Sequence, residues 1–172
     1  MGRQPDTDRP VEPGAADIRE LLDRMAIDDL HGRYIFALDW FDADTVASTF
    51  AEDGVLDWAG GVIEGREAIR TAINGMKDYF GKFEDVDAPL RPARLRHFIT
   101  NKIVQLNGDH ARTLAFWLEL NNDNRLRSPY LGAYGHYEDE VVRTAEGWRF
   151  KRRTIFNEMM EERKCPAENP AW

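Results

Sequence analysis

The sequence has a single cysteine, Cys165, so no internal disulfide can form and no set of thiolates is available for zinc. It also has no run of the roughly 20 apolar residues that a membrane-spanning helix requires. Basic residues are outnumbered, 23 Lys and Arg against 31 Asp and Glu, and the net charge of -8 would repel a phosphate backbone. We therefore expect a cytoplasmic protein that binds neither membrane nor nucleic acid.

The usual sequence patterns of metal and cofactor sites are missing too. The four histidines and the scattered acids show no ligand spacing such as His-x3-His. No glycine-rich loop follows a predicted strand, so nothing is arranged to hold the phosphates of a nucleotide. We therefore expect no metal and no cofactor.

The size and composition of the chain are those of one globular domain. The 172 residues are 42% hydrophobic and 11% aromatic, which suffices for a core of their own. Residues 1–15 are rich in Pro, Asp and Arg and have no apolar segment, which predicts a disordered leader. We assign residues 16–160 to the domain and residues 161–172 to a polar tail.

Three segments have the apolar spacing of amphipathic helices. The first runs from residue 17 to about residue 39, and Asp42 or Asp44 can cap a short second helix. The third begins at residues 65–67 and ends near a pair of aromatic residues. The apolar stripes consist of Ile18, Leu21, Leu22, Met25, Leu30, Tyr34 and Leu38 in the first helix, and of Ile69, Ile73 and Met76 in the third.

The rest of the chain shows the alternation and the turns of β-strands. Residues 52–54 are typical of a turn, and a short hairpin follows with a glycine turn at residues 60 and 61. A proline-bearing loop is predicted over residues 85–92. The fold class is α+β, with helices gathered on one face of a strongly curved sheet. The predicted strands are residues 55–58 and 62–63 in the hairpin, and then 95–106, 111–120, 130–142 and 148–156.

Several blocks of the sequence resemble the SnoaL-like domains of the nuclear transport factor 2 (NTF2) superfamily. The first block is DLHGRYIFALD at residues 29–39, in which a tyrosine and an aspartate are five positions apart. The resemblance implies a cone-shaped, curved antiparallel sheet wrapped with three helices around a central pocket, the NTF2-like or cystatin-like fold. The other blocks are residues 50–55, 64–69, 96–101 and 147–153, so the resemblance covers roughly residues 17–158.

The pair formed by Asp39 and His97 narrows the resemblance to some branches of the superfamily. These branches resemble scytalone dehydratase, bile acid 7α-dehydratase and hexachlorocyclohexane dehydrochlorinase, which are lyases without cofactors. The resemblance implies that His97 is the general base and that Asp39 orients it. It also implies that the phenol of Tyr34 donates to a leaving hydroxyl or a developing oxyanion, and that Arg153, on the last strand, faces the pocket and holds an anionic group.

Acid–base chemistry explains why a histidine and an aspartate are needed together. A neutral imidazole can accept a proton near pH 7, while a carboxylate fixes its tautomer and stabilises the imidazolium.

Tyr34 and Asp39 are five residues apart, about 140° around a helix of 3.6 residues per turn, so they do not share one stripe. Asp39 can therefore reach the site only where the first helix ends. His136 is the second choice for the base.

Each of these residues also has a purely structural interpretation. Asp39 is typical of a solvated helix end, and His97 of a strand histidine with a satisfied hydrogen bond. Tyr34 fits an apolar helix face with its hydroxyl at the edge. Arg153 fits the surface, because both faces of the last strand carry charged and apolar groups. Which face of that strand lines the pocket stays open.

The many aromatic residues suit a hydrophobic ligand, and we assign Trp58, Phe98, Trp117, Tyr134 and His136 to the pocket wall.

The resulting hypothesis is a cofactor-independent lyase of the dehydratase type, acting on a hydrophobic cyclic or aromatic hydroxy compound, as in aromatic compound catabolism. The same dyad could serve an isomerase, a dehydrohalogenase or a retro-aldol C–C lyase. A further alternative is a non-catalytic ligand-binding protein, similar to the small subunits of ring-hydroxylating dioxygenases. A homodimer or homotrimer is expected, because superfamily members commonly associate through the open face of the sheet.

Overall fold

Three helices and six strands make up the computed structural model, which describes residues 12–82, 95–159 and 168–171. The predicted order of helix, helix, hairpin, helix and four long strands is confirmed. Within those ranges, no helix is long and apolar enough to cross a membrane. The elements are α1 (Ala15–Asp39), α2 (Ala43–Ser48), β1 (Phe50–Trp58), β2 (Gly61–Glu64), α3 (Arg66–Gly81), β3 (Leu95–Asn107), β4 (His110–Asn121), β5 (Tyr130–Thr144) and β6 (Gly147–Asn157).

The strands form one sheet in the order β2-β1-β6-β5-β4-β3. All neighbouring pairs are antiparallel except β1 and β6, which are parallel. The α+β class is confirmed, but the sheet is mixed rather than purely antiparallel. The physical reason is that β1 and β6 begin at the same end of the sheet and run in the same direction. There the amide of Phe150 donates to the carbonyl of Thr49 at 2.9 Å.

Strand β1 begins at Phe50, earlier than the expected start at Val55. Its register against β6 shifts between these two residues, as in a β-bulge. At Gly54 an added Cβ would lie 2.8 Å from the Cβ of Phe50 and 3.0 Å from the carbonyl oxygen of Phe150, so only glycine fits. Residues 52–54 are therefore part of a bulged strand and not a turn. The turn to β2 is at residues 59 and 60, one position before the predicted one.

The main hydrophobic core lies between the sheet and the helices. The second half of α1 contributes Ile27, Leu30 and Tyr34, whose side chains are almost completely buried. The first turns of α1 extend beyond this core. The apolar spacing thus predicted the helix correctly, but only its C-terminal part is packed. The exposed apolar residues of the first turns are Ile18, Leu21, Leu22 and Met25, with exposed fractions of 47% to 64%.

Helix α1 ends in a Schellman motif, which places Asp39 as the last helical residue. The amides of Phe41 and Asp42 donate back to carbonyl groups of the last turn at 3.0 and 2.9 Å. Phe41 occupies the position that usually holds glycine, with a left-handed φ of 54°. Its ring packs 5.2 Å from that of Phe80, which offsets the cost of that conformation. Asp42 then caps α2, as predicted, by accepting from the amide of Thr45 at 3.1 Å.

Some predicted segments lie outside the described residues. They are residues 1–11 of the leader, the loop at 85–92, and residues 161–167 and 172 of the tail. Residues 168–171 of the tail, which are described, lie near Phe116 and His136 on the sheet.

Candidate active site

A cavity of about 390 Å³ lies between the sheet and helices α1 and α3. Ligand pockets in proteins have volumes of about 300 to 1,000 Å³, so a small organic molecule fits. We call the face of the sheet that borders this cavity the inner face, and the opposite one the outer face. The wall is mostly apolar and consists of Tyr34, Leu38, Leu56, Trp58, Ala59, Gly60, Ile63, Ala72, Ile73, Met76, His97, Trp117, Glu119, Tyr137, Ile155 and Asn157.

Asp39 and His97 are in direct contact at the edge of the cavity. Oδ1 of Asp39 lies 2.7 Å from Nδ1 of His97, and Oδ2 accepts from the backbone N–H of His97 at 2.9 Å. Only 9% of the His97 side chain and 3% of the Asp39 side chain are exposed. The contact joins the last residue of α1 to the third residue of β3. The structure thus brings the predicted pair together, at the helix end where the sequence required Asp39 to be.

Arg96 holds the same helix end from the neighbouring position of β3. Its Nη1 donates to the backbone carbonyl of Asp39 at 3.0 Å, and its Cζ lies 3.9 Å from the centre of the Trp40 ring. The guanidinium satisfies a carbonyl group at the helix C-terminus, where a positive charge is favourable. Two consecutive residues of β3 therefore bind Asp39 of α1: Arg96 contacts its backbone carbonyl, and His97 contacts its carboxylate.

A second carboxylate, Glu119, lies on the other side of the His97 imidazole. Its Oε2 is 3.3 Å from Nε2 of His97, and the two residues are directly opposite in the β3–β4 register. Gly132 on β5 leaves room for this carboxylate, since an added Cβ there would lie 2.6 Å from Oε1 of Glu119. The sequence analysis did not assign Glu119 to the site. The sequence does carry one indication of its place: side chains alternate along a strand, so Glu119, two residues after Trp117, lies on the same face of β4 as Trp117.

The two carboxylates change the charge expected for His97. Burial lowers the pKa of the imidazole, but hydrogen bonds and electrostatic attraction to Asp39 and Glu119 outweigh burial and raise the pKa to about 9. The ring is therefore protonated at neutral pH, with one N–H directed at each carboxylate. This differs from the neutral imidazole expected from the sequence, and the physical reason is the second carboxylate.

Tyr34 lines the cavity, as predicted, and so does a second tyrosine, Tyr137. Burial raises the pKa of both phenols, so both keep their protons and can act as hydrogen-bond donors. The inner face of β6 is the one that carries Arg153, since Ile155 and Asn157 line the cavity. Arg153 itself is completely buried and does not line the cavity, contrary to the prediction. The physical reason is that the two phenol rings pack against it, with centres 4.2 and 4.3 Å from its Cζ.

Arg153 belongs to a closed ring of buried hydrogen bonds. Its Nε and Nη2 donate to the carboxylate of Asp139 at 2.9 and 2.8 Å, and Nη2 also lies 3.0 Å from Nδ1 of His31. Because a guanidinium can only donate, Nδ1 accepts, and the proton of His31 is on Nε2, which donates to the hydroxyl of Thr113 at 3.1 Å. That hydroxyl donates to Asp139 at 3.0 Å. Burial and the charge of Arg153 lower the pKa of His31 well below its ordinary value, so the ring is neutral.

Two of the five residues predicted for the pocket wall do line the cavity, Trp58 and Trp117. The other three, Phe98, Tyr134 and His136, lie on the outer face of the sheet, and this corrects the prediction. Successive side chains of a strand point to opposite faces, so each residue next to an inner-face position points outward. Phe98 and Tyr134 are 51% and 43% exposed on that outer face.

His136, the second choice for the base, is thus separated from the cavity by the sheet. Its ring stacks on that of Phe156 at 4.6 Å. Its two nitrogens lie 3.4 Å from carboxylate oxygens of Glu138 and Glu158. The outer face therefore carries a second histidine between two carboxylates, beside a more open pocket that is also lined by Phe116 and residues 168–171.

The site formed by His97, Asp39 and Glu119 on the inner face can perform proton transfer. His97 and Glu119 line the cavity, whereas Asp39 lies behind His97 and is not part of the wall. The ring of Trp117 is 5.9 Å from that of His97. In the part of the chain that the structure describes, no three His, Cys, Asp or Glu side chains are placed to hold a metal ion.

Sequence comparison matches most of the chain to a known family. The family model described as a SnoaL-like domain matches residues 19–154. These residues include Tyr34, Asp39, His97 and Glu119. No curated protein matches the chain.

Solved structures show the same architecture. An NTF2-like protein with a cystatin-like fold from Novosphingobium aromaticivorans is 25% identical, with a TM-score of 0.68 over 81% of this chain and 84% of that one. A protein named as a candidate scytalone dehydratase from the same organism is 24% identical, with a TM-score of 0.67 over 88% and 94%. A Mycobacterium tuberculosis protein of unknown function is 24% identical, with a TM-score of 0.69 over 84% and 76%. These similarities confirm the expected NTF2-like fold.

Proposed function

Because the chain belongs to the family of SnoaL-like domains, we propose that it is a cofactor-independent lyase of the dehydratase type. Its substrate is a hydrophobic cyclic or aromatic hydroxy compound, from which it removes water. The observation that carries the proposal is the 2.7 Å contact between Asp39 and His97 beside a largely apolar cavity. A protein that only binds a ligand does not require such a pair, whereas an elimination does.

Elimination of water needs a group that accepts a hydrogen from carbon and a group that gives a proton to the departing hydroxyl. His97 and the carboxylates beside it supply groups for both transfers. The phenols of Tyr34 and Tyr137 are further donors of the cavity wall, suited to a developing oxyanion on the substrate. The apolar surroundings strengthen each of these interactions, because few polar groups compete with them.

The composition of the cavity wall supports a neutral substrate with one or two rings. Trp117 stacks on Tyr137 with ring centres 5.8 Å apart, which offers a flat apolar surface. No Lys or Arg is among the described residues that line the cavity, and Arg153 below it is already paired with Asp139. A carboxylate on the substrate would meet Glu119 there. The name of one structural neighbour, a candidate scytalone dehydratase, supports the proposed reaction type, the removal of water.

A panel of cyclic β-hydroxy ketones on one-ring and two-ring scaffolds tests the proposal, with loss of one water followed by mass spectrometry. The wild type should convert at least one member. His97→Gln and Asp39→Asn should each lower kcat by roughly 10²-fold or more. His136→Gln is the matched control, since it removes the outer histidine between two carboxylates and should leave turnover unchanged. Full activity in both inner-site variants, with circular dichroism showing them folded, would contradict the proposal.

The same assay separates the other reactions that a positioned acid–base pair performs. An isomerase leaves the mass unchanged, a dehydrohalogenase releases halide, and a retro-aldol C–C lyase divides the substrate into two products. Binding without any reaction would instead identify a ligand-binding protein. Such binding is measurable by tryptophan fluorescence, because Trp58 and Trp117 line the cavity.

A further inference from the structure

Two carboxylates contact the imidazole of His97, and their positions are not equivalent. The geometry points to Glu119 as the base that accepts the hydrogen from carbon, and to His97, oriented by Asp39, as the acid that protonates the departing hydroxyl. This assignment rests on the proposed lyase function. It reverses the role expected of His97 and gives a catalytic role to a residue outside the sequence motif.

The surroundings of His97 favour its protonated form on geometric grounds. Asp39 lies 2.7 Å from Nδ1 and Glu119 lies 3.3 Å from Nε2. A neutral imidazole has a single N–H, so one of the two carboxylates would face a nitrogen lone pair. Both contacts are favourable only when both nitrogens carry a proton. The raised pKa of His97, about 9, agrees with this. An imidazolium has no lone pair with which to accept a hydrogen from carbon.

Of the two carboxylates, only Glu119 can touch a bound substrate. Glu119 lines the cavity and its side chain is 19% exposed, whereas Asp39 is not part of the wall and its side chain is 3% exposed. Both oxygens of Asp39 already accept from His97, one from the ring and one from the backbone amide. Among the residues that the structure describes, Glu119 receives a long hydrogen bond of 3.3 Å from Asn121 as its one side-chain partner besides His97. Glu119 therefore has lone pairs available for a proton.

The proton transfers balance within this pair. Glu119 accepts the hydrogen from the carbon next to the substrate's carbonyl group, and the C–H electron pair forms the carbon–carbon double bond. The C–O bond of the β-hydroxyl breaks, and its oxygen takes the proton from Nε2 of His97 and leaves as water. The proton on Glu119 then moves to Nε2 across the 3.3 Å contact. The starting state is restored without an external acid or base.

This arrangement also restricts the substrate. Base and acid are adjacent on one side of the cavity, so the hydrogen and the hydroxyl must leave from the same face of neighbouring carbons. The substrate class is therefore a neutral cyclic β-hydroxy ketone that undergoes syn elimination.

A change of leaving group distinguishes the acid from the base. An acetate ion departs without being protonated, so a β-acetoxy ketone needs a base but no acid. We compare aromatic-fused cyclic β-hydroxy ketones with their β-acetoxy counterparts in the wild type, His97→Gln and Glu119→Gln. With the acetoxy compound, the turnover of His97→Gln should be within about tenfold of the wild-type turnover. Glu119→Gln should stay at least 100-fold below the wild type with both leaving groups, and Glu119→Asp should recover part of the activity.

Exchange with solvent provides a second readout of the base. In D2O, an aromatic-fused cyclic ketone without the hydroxyl should gain deuterium at the carbon next to its carbonyl group. We expect this exchange with the wild type and its loss in Glu119→Gln. Glu138→Gln is the matched control, because it removes a carboxylate from the outer histidine cluster. The imidazole signals of His97 in NMR should also show a lower pKa in Glu119→Gln than in the wild type.

The outcomes for the two proposals differ. Two results would overturn the roles assigned to these residues and leave the lyase proposal intact. One is an activity of Glu119→Gln close to that of the wild type. The other is a His97→Gln variant whose activity with the β-acetoxy ketone stays as low as with the β-hydroxy ketone. A folded wild type that neither converts a hydroxy ketone nor exchanges a hydrogen overturns the proposed function itself, and with it this assignment.

Discussion

Arg153 and Asp139 form an ion pair at 2.8 Å in which both side chains are completely buried, directly beneath the two tyrosines of the cavity wall. Two buried charges of opposite sign neutralise each other, and His31 and Thr113 add further hydrogen bonds to the guanidinium and the carboxylate. Removing one partner leaves the other charge in a medium of low polarity. This pair therefore supports the cavity by keeping Tyr34 and Tyr137 in place, rather than by contacting a ligand.

Asp139→Asn should lower the free energy of unfolding by about 3 kcal/mol or more, because the charge of Arg153 is then buried without a counter-ion. Urea denaturation followed by circular dichroism measures the change. Glu140→Gln, at the exposed neighbouring position, is the control and should change the stability by less than about 0.5 kcal/mol. Equal stabilities of Asp139→Asn and Glu140→Gln would show that the buried ring does not contribute as described.

The stability of the protein should fall as the pH rises from 6.5 to about 9. In the unfolded chain His97 has an ordinary pKa near 6.5, whereas in the folded protein the pKa is raised to about 9. Below pH 6.5 both states bind the proton, and the stabilisation by the two carboxylates is present in full. Between pH 6.5 and about 9 only the folded state keeps the proton on His97. The free energy of unfolding therefore decreases with rising pH, in total by on the order of 3 kcal/mol.

Urea denaturation at a series of pH values tests this dependence, and His97→Gln is the control. The variant has no titrating group at this position and should lack the decrease. A wild-type stability that is constant or rises over the same interval would mean that His97 is not protonated in the folded protein.

Much of the fold could be predicted from the sequence, because the four long strands and the first helix are determined by local patterns and turns. The start of β1 could not. Residues 52–54 have the composition of a turn, and they form a bulged strand only because β6, about 100 residues later, pairs beside them. The exposed start of α1 shows the same limit, since helical spacing indicates a helix without indicating how much of it is covered.

The candidate site was predictable where a motif carries it and not where register decides. Asp39 and His97 were paired from the family motif, and the helix end that their geometry requires is present. Glu119 was missed because its place opposite His97 depends on a one-residue register shift between Thr100 and Ile103 of β3, without which the hairpin would pair His97 with residue 120. Phe98 was assigned to the pocket by its aromatic type alone, although it is adjacent to His97 and therefore projects from the opposite face of β3.

Gly132→Ala should disturb the site while preserving the fold. The added methyl group would lie 2.6 Å from Oε1 of Glu119, and the flexible carboxylate can move away more easily than the strand backbone. We expect a loss of turnover of roughly tenfold or more, together with a lower pKa of His97 in NMR. Gly75→Ala is the control, because nothing lies within 4 Å of a Cβ at this position of α3.

The control should keep full activity and gain up to about 1 kcal/mol of stability from the higher helix propensity of alanine. Unchanged turnover and an unchanged His97 pKa in Gly132→Ala would indicate that the position of Glu119 is not critical.

The outer face of the sheet is the surface through which we expect the chain to self-associate as a dimer or trimer. Phe98, Phe116 and Tyr134 are 51%, 56% and 43% exposed there. Phe98 on β3 and Tyr134 on β5 lie on either side of Leu118 on β4, and Phe116 is two residues from Leu118 on the same face. Contiguous apolar surface of this kind is unfavourable in water unless it is covered. Phe116→Glu places a charge in its centre and should convert the oligomer to a monomer in light scattering after gel filtration. Phe36→Glu, at the 69% exposed position on α1, should leave the oligomer intact. A monomeric wild type would contradict the expected self-association, and an oligomer that tolerates Phe116→Glu but not Phe36→Glu would place the interface elsewhere.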